Sequence, residues 1–257
     1  MRSGRSDPLT LVAALLVLAG LTGVLWTRAK RPGSPPCDPL LSKECGGASS
    51  SASSGPVPVP SPSGRAPLPA ESACRNAGYL CSELSTFDRY RIQRWRNFQG
   101  TMVVHLPAPR LDDRGLSQRL QRAASNGIRA WNGQPFPILV DERGDRPAHV
   151  RVRWVPQLDG AAIGMARLQW NSQTGLSVMS LDLMTQFPWG APMEPEQLRL
   201  VAAHEMGHAL GLPHSDDPRD VMYPTNTATS LSVRDYRTLE VLYEFEDGTE
   251  ILKAPRR

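Results

Sequence analysis

The sequence predicts an α+β domain in which a strand and a helix come first, several strands follow, and two helices close the chain. Three observations lead there. Short stretches between residues 100 and 184 alternate apolar and polar positions and are rich in β-branched residues. One stretch among them, after the first strand, repeats apolar residues at helical spacing. Two late stretches open with helix-start signals, a proline beside glutamates and a serine three residues ahead of an aspartate.

The elements follow in order. "TMVVHLP" predicts a strand around Gly100 to His105. The preceding "RYRIQRWRNF" interleaves arginine with aromatic residues and reads as one solvated strand face rather than a nucleic-acid surface. "LSQRLQRAASNGIRAWNG" places Leu116, Leu120, Ala123, Ala124, Ile128 and Trp131 on one helical stripe, with Gly133 positioned to end it. "PFPILVDE" predicts a strand at Ile138 to Val140, and "AHVRVRWV" another around Val150, Val152 and Trp154. "AAIGMARLQW", the turn "NSQTG" and "LSVMSLDLM" predict a hairpin. "PMEPEQLRLVAAHEMGHALGL" starts a helix at Pro195, with Glu194 and Glu196 at the positive end of its dipole. "LSVRDYRTLEVLYEF" starts the last helix with Ser232 and Asp235 at capping-box spacing and carries Tyr236, Leu239 and Leu242 on one stripe.

Ahead of this domain the composition changes. Leu9 to Trp26 is 18 residues without a charge, a helix of about 27 Å and close to the thickness of a bilayer core. Its apolar run is long for a signal peptide, and Trp26 suits an interface, so an uncleaved anchor is preferred over a removed signal segment. Residues 32–83 are rich in Pro, Ser and Gly and read as a tether. The expected organisation is an anchor or signal segment at 1–31, a cysteine-containing linker at 32–83, the folded domain at 84–247 and a basic tail at 248–257. The four cysteines, Cys37, Cys45, Cys74 and Cys81, all lie before residue 82 and lack the usual zinc spacings. In an exported chain they read as two disulfides with three open connectivities, of which the sequential one is simplest. The expected location is extracytoplasmic, anchored by the single N-terminal segment, or secreted once that segment is cleaved. The formal net charge of +4 is mild and points to no nucleic-acid partner.

Three of the five histidines fall within "HEMGHALGLPH". In a helix His204 and His208 share a face and can meet one ion. Glu205 is too close in sequence to serve as an ordinary third ligand but can contact a water on the metal and take its proton. Gly211 can adopt the left-handed backbone that ends a helix, and Pro213 forbids helical continuation. The turn can then bring His214 round as third ligand, leaving one zinc position open. A closed zinc site would not need Glu205, and three surface histidines would not need Gly211.

His204-Glu205-x-x-His208-x-x-Gly211-x-x-His214 resembles the metzincin signature, HExxHxxGxxH. Met222 in "DVMYPT" is similar to the methionine turn that lies beneath the metal in that family. Ser215 after the last histidine, the "HALGL" wording and the "MYP" turn resemble the matrixin branch, as does the closing helix. The resemblance implies a zincin-like fold: a mixed twisted sheet, an active-site helix, the Met-turn and a C-terminal helix. It further implies one catalytic zinc on His204, His208 and His214, with Glu205 as general base and then acid. Substrate would be an extended polypeptide added to an edge strand at Ile163, Gly164, Met165 and Ala166, with Tyr223 and Pro224 walling the pocket beyond the scissile bond. Asn226 stands where the family has a second aromatic. Animal matrixins also carry a structural zinc, which is not carried over because only His105 and His149 remain. Calcium is compatible with the resemblance, but no residue pattern supports it. "PPCDP" at Cys37 and "SACRN" at Cys74 do not match the family's inhibitory cysteine segment, although either cysteine could cap the zinc.

The expected function is therefore that of a zinc metalloendopeptidase acting on protein or peptide substrates. Two alternatives are a non-catalytic, zinc-stabilised binding or adhesion module, and a zinc hydrolase of cell-wall peptides. Glu205 argues against the first, because a structural site gains nothing from that carboxylate.

Overall fold

The computed structural model describes residues 68–253, apart from 188 and 226. The apolar run Leu9–Trp26, the tether as far as residue 67, Cys37, Cys45, Asn226 and the end of the basic tail lie outside the described residues. Among those described, no helix is long and apolar enough to cross a membrane.

The elements run β1 (Leu68–Pro69), α1 (Ala70–Ala73), a 3-10 turn (Ser82–Ser85), β2 (Arg89–Arg91), β3 (Met102–His105), α2 (Arg114–Arg129), β4 (Ile138–Asp141), β5 (Val150–Val155), β6 (Gly164–Asn171), β7 (Gly175–Met184), α3 (Pro195–Ala209), α4 (Val233–Glu244) and β8 (Glu250–Leu252). Five strands form one sheet in the order β4-β3-β5-β7-β6. Four are parallel, and β6 alone is antiparallel to its neighbour β7. The hairpin expected from "NSQTG" is the β6–β7 turn: the Asn171 side chain accepts from the N–H groups of Gln173 and Thr174, and Gly175 takes a positive φ of 78°. The sheet is therefore mixed, and β6 lies at its edge.

Helices α2 and α3 pack against each other through small residues. A Cβ added to Gly127 would stand 2.1 Å from the Arg199 carbonyl and 3.1 Å from the Ala202 Cβ. The Trp131 indole N–H, at the end of the α2 stripe, donates to the Ala203 carbonyl over 2.8 Å. Leu120, Ala124, Ile128 and Trp131 are fully buried, as their spacing requires. This seats α3, with its histidines, firmly against the core.

The folded body is wider than the 84–247 expected. Residues 68–83, assigned above to the tether, contain the Cys74–Cys81 disulfide and bury Tyr79 and Leu80. Part of the expected basic tail is β8, which pairs with both β1 and β2 and buries Ile251 completely. The physical reason is the same at both ends. A few apolar residues inside polar, proline-rich or charged surroundings find partners far along the chain, and local composition does not register that. The arginine-aromatic run also departs from the expected solvated face. Only Arg89–Arg91 is strand there, and Trp95 turns inward to donate its indole N–H to the Ala209 carbonyl.

Candidate metal centre

Helix α3 starts as its sequence directs, with Pro195 in the first turn and Glu196 beside it. It ends in a Schellman arrangement. The Leu212 N–H donates to the Gly207 carbonyl, the Gly211 N–H donates to the His208 carbonyl, and Gly211 has φ +104°. A side chain at Gly211 would also meet the Gln93 carbonyl at 2.3 Å, so glycine is required twice over. The carbonyls left at the helix end are met by Trp95 on Ala209 and by the Tyr243 hydroxyl on Leu210.

This turn swings His214 towards the helix. His204, His208 and His214 bring one ring nitrogen each within 4.8 Å of one another. The Nε2 atom of His208 lies 3.1 Å from that of His204 and 3.2 Å from that of His214. Nitrogens held about 2.0–2.1 Å from one tetrahedral ion stand roughly 3.3 Å apart, so the spacing suits zinc. The tautomers suit it too. His204 Nδ1–H donates to the Val221 carbonyl at 2.7 Å and His208 Nδ1–H to the Leu212 carbonyl at 2.9 Å. Both Nε2 atoms are thus bare lone pairs facing each other, an arrangement that calls for a cation between them. Burial disfavours the charged form of all three rings: it lowers His204 to about 4, His208 well below its ordinary value, and His214 in the same direction.

Glu205 is buried. Burial pushes its carboxyl up to about 8, partly opposed by a hydrogen bond from the Ala166 backbone and reinforced by the charge of Asp182. Ala166 belongs to the edge strand, so Glu205 lies between the helix and β6. The approach is close. A Cβ on Gly164 would stand 2.8 Å from Glu205 Oε1 and 2.5 Å from Val201 Cγ1.

Met222 is fully buried in the loop between His214 and α4. Its carbonyl accepts from the Ser215 N–H at 2.8 Å. Asp235, the capping-box residue of α4, accepts from the backbone N–H groups of Val221 and Ser232 and from the Tyr79 hydroxyl. One buried carboxylate therefore caps a helix and holds the Met222 turn. Ser215, used above only as a branch marker, has a structural role: its hydroxyl donates to the buried Asp220, which also accepts from Ser232 and Arg234.

Of the residues expected to bind substrate, Ile163, Gly164, Met165 and Ala166 are half-buried on or just before β6. Tyr223 is half-buried and Pro224 exposed, directly after Met222. Cys74 is disulfide-bonded to Cys81 and so is no thiol cap for the histidines. Sequence reasoning missed Asp182, Tyr79, Ser82 and Glu83. Asp182 accepts from both Arg153 and Arg167 across three strands.

Residues 146–244 match the family described as Matrixin. The 72 kDa type IV collagenase of Gallus gallus is 46% identical over 66 residues, which are 24% of this chain and 10% of the relative. The macrophage metalloelastase of Oryctolagus cuniculus is 46% identical over 61 residues, 21% of this chain and 13% of the relative. Matrilysin of Felis catus is 52% identical over 48 residues, 17% of this chain and 18% of the relative. The matches thus span less than a fifth of these relatives' length.

Proposed function

We propose that this chain, a matrixin-like metzincin by its mixed fold, its three-histidine cluster and its matched segment, is a zinc-dependent endopeptidase acting on extended polypeptides. The observation that carries the reading is the convergence of three histidine Nε2 atoms beside one buried glutamate. Zinc held there would supply Lewis acidity and a water of pKa near 7. His204 and His208 hold their rings in one tautomer through Val221 and Leu212. Glu205, raised by burial, suits a group that takes a proton and returns it to a leaving amine near neutral pH. Met222 supports the histidines from below. A substrate strand adds to β6 along Ile163 to Ala166, where backbone hydrogen bonds give affinity and side-chain pockets give selectivity. Tyr223 and Pro224 border the pocket beyond the scissile bond. No residue cluster among those described points to calcium.

The Cys74–Cys81 bridge supports an extracytoplasmic location. The finer reading, anchorage by the apolar run Leu9–Trp26, rests on that run alone.

The purified 257-residue chain should bind one equivalent of zinc and cleave members of a peptide library. Both properties should disappear on chelation and return with zinc. One equivalent of zinc with no cleavage of any peptide would overturn the endopeptidase reading and favour a binding module.

A further inference from the structure

The three histidines are not held alike. His204 and His208 sit on α3, and each ring is fixed through its Nδ1–H to a backbone carbonyl. His214 lies in a loop beyond the helix, and among the described residues its ring makes no such bond. Its backbone is held instead. The His214 carbonyl accepts from the Ser82 hydroxyl at 2.5 Å, and the neighbouring Glu83 carboxyl, raised by burial, is partly drawn back down by the His214 backbone. Two adjacent side chains over 130 positions earlier thus meet the His214 backbone, Ser82 by a direct hydrogen bond.

Those two side chains are themselves anchored. Ser82 directly follows Cys81, whose disulfide to Cys74 closes a small loop. Within that loop Tyr79 is buried, its hydroxyl donating to Asp235 at 2.8 Å and its N–H to Thr238 Oγ1 at 3.2 Å. Arg234 lies over the Tyr79 ring, 5.3 Å from its centre. Asp235 also holds the Met222 turn. The closed loop, helix α4, the Met222 turn and the third histidine therefore share one continuous set of contacts.

We infer that Ser82 and Glu83 are positioning residues for the metal centre: presented by the Cys74–Cys81 loop, they clamp the His214 backbone and hold the third ligand in register with the other two. The inference rests on the proposed zinc site. Outer partners of metal ligands commonly tune affinity by roughly 10- to 100-fold. Here the partner acts on the ligand's backbone, because a loop residue without a ring anchor must be oriented through its main chain. The same work done by Val221 and Leu212 for two rings falls to two side chains for the third.

The test uses the full chain with Ser82→Ala, Glu83→Met and the double variant, against Ser82→Thr and Glu83→Gln, which keep the hydroxyl and an accepting oxygen. Zinc dissociation is measured by competition with a chromophoric chelator, the cobalt-substituted protein by visible absorption, and the metal-free protein by thermal unfolding. The expected result is a 10-fold or greater loss of zinc affinity in the double variant and an altered cobalt spectrum. Both should be restored by the conservative pair, with metal-free unfolding matching the parent's. Parent-like zinc affinity and cobalt spectrum in the double variant would overturn the inference while leaving the zinc site intact. A loss of affinity matched by an equal loss of metal-free stability, or not restored by the conservative pair, would overturn it too. A parent protein that binds no zinc would overturn the function and the inference together.

Discussion

Gly207 and Met222 are packed so tightly that no side chain fits between them: a Cβ on Gly207 would stand 2.2 Å from the Met222 sulfur and 3.1 Å from Trp131. Gly207 lies in α3 between Glu205 and His208, so Met222 supports the helix at the level of these two residues. Alanine is better than glycine in a helix interior by about 1 kcal/mol, whereas forced overpacking costs about 1–3 kcal/mol. Gly207→Ala should therefore be less stable than the parent and should retain zinc less well, as read by thermal unfolding and chelator competition. A variant as stable as the parent would show that the contact is slack.

Gly164 serves Glu205 in a similar way from the strand side. Its substitution by alanine would press on Glu205 Oε1 and Val201. The zinc stoichiometry of Gly164→Ala should stay at one, while turnover falls roughly tenfold or more as Glu205 leaves its productive position. Unchanged turnover would mean that Glu205 has freedom the packing does not suggest.

Asp182 ties three strands together beneath the edge. Burial raises its carboxyl, but hydrogen bonds from Arg153 and Arg167 outweigh this and hold it at about 2. A carboxyl lowered from an unfolded value of about 3.9 adds stability that is full above that value and lost as pH falls through about 2. Both guanidinium groups are about half exposed, so screening limits the effect to about 1–2 kcal/mol. Asp182→Asn should be less stable at pH 7 and should lose less of its remaining stability than the parent between pH 4 and 2. Parallel acid denaturation curves would show that Asp182 adds no pH-dependent stability.

The local parts of this molecule were legible in its sequence. The i, i+4 histidines, Gly211 at the helix end, Pro195 at its start and the Ser232–Asp235 box each state their structure within a few residues. The stripe from Leu116 to Trp131 and the hairpin at "NSQTG" did the same. What escaped reading depends on contacts between distant segments. Ser82 meets His214, Tyr79 meets Asp235, and β8 lies between β1 and β2, and none of these leaves a periodic trace. Asp235 illustrates both sides: its cap on Ser232 is visible in the sequence, whereas its hold on the Met222 turn emerges only in the fold.

The proposed role of Glu205 in proton chemistry beside three zinc-binding histidines meets its sharpest test in Glu205→Ala in the full chain, with zinc content and peptide cleavage measured on the same sample. One zinc per chain is expected in both proteins, with a fall in turnover of about 10²- to 10⁴-fold in the variant. Cleavage by Glu205→Ala at the parent's rate, with zinc bound equally in both, would contradict that role.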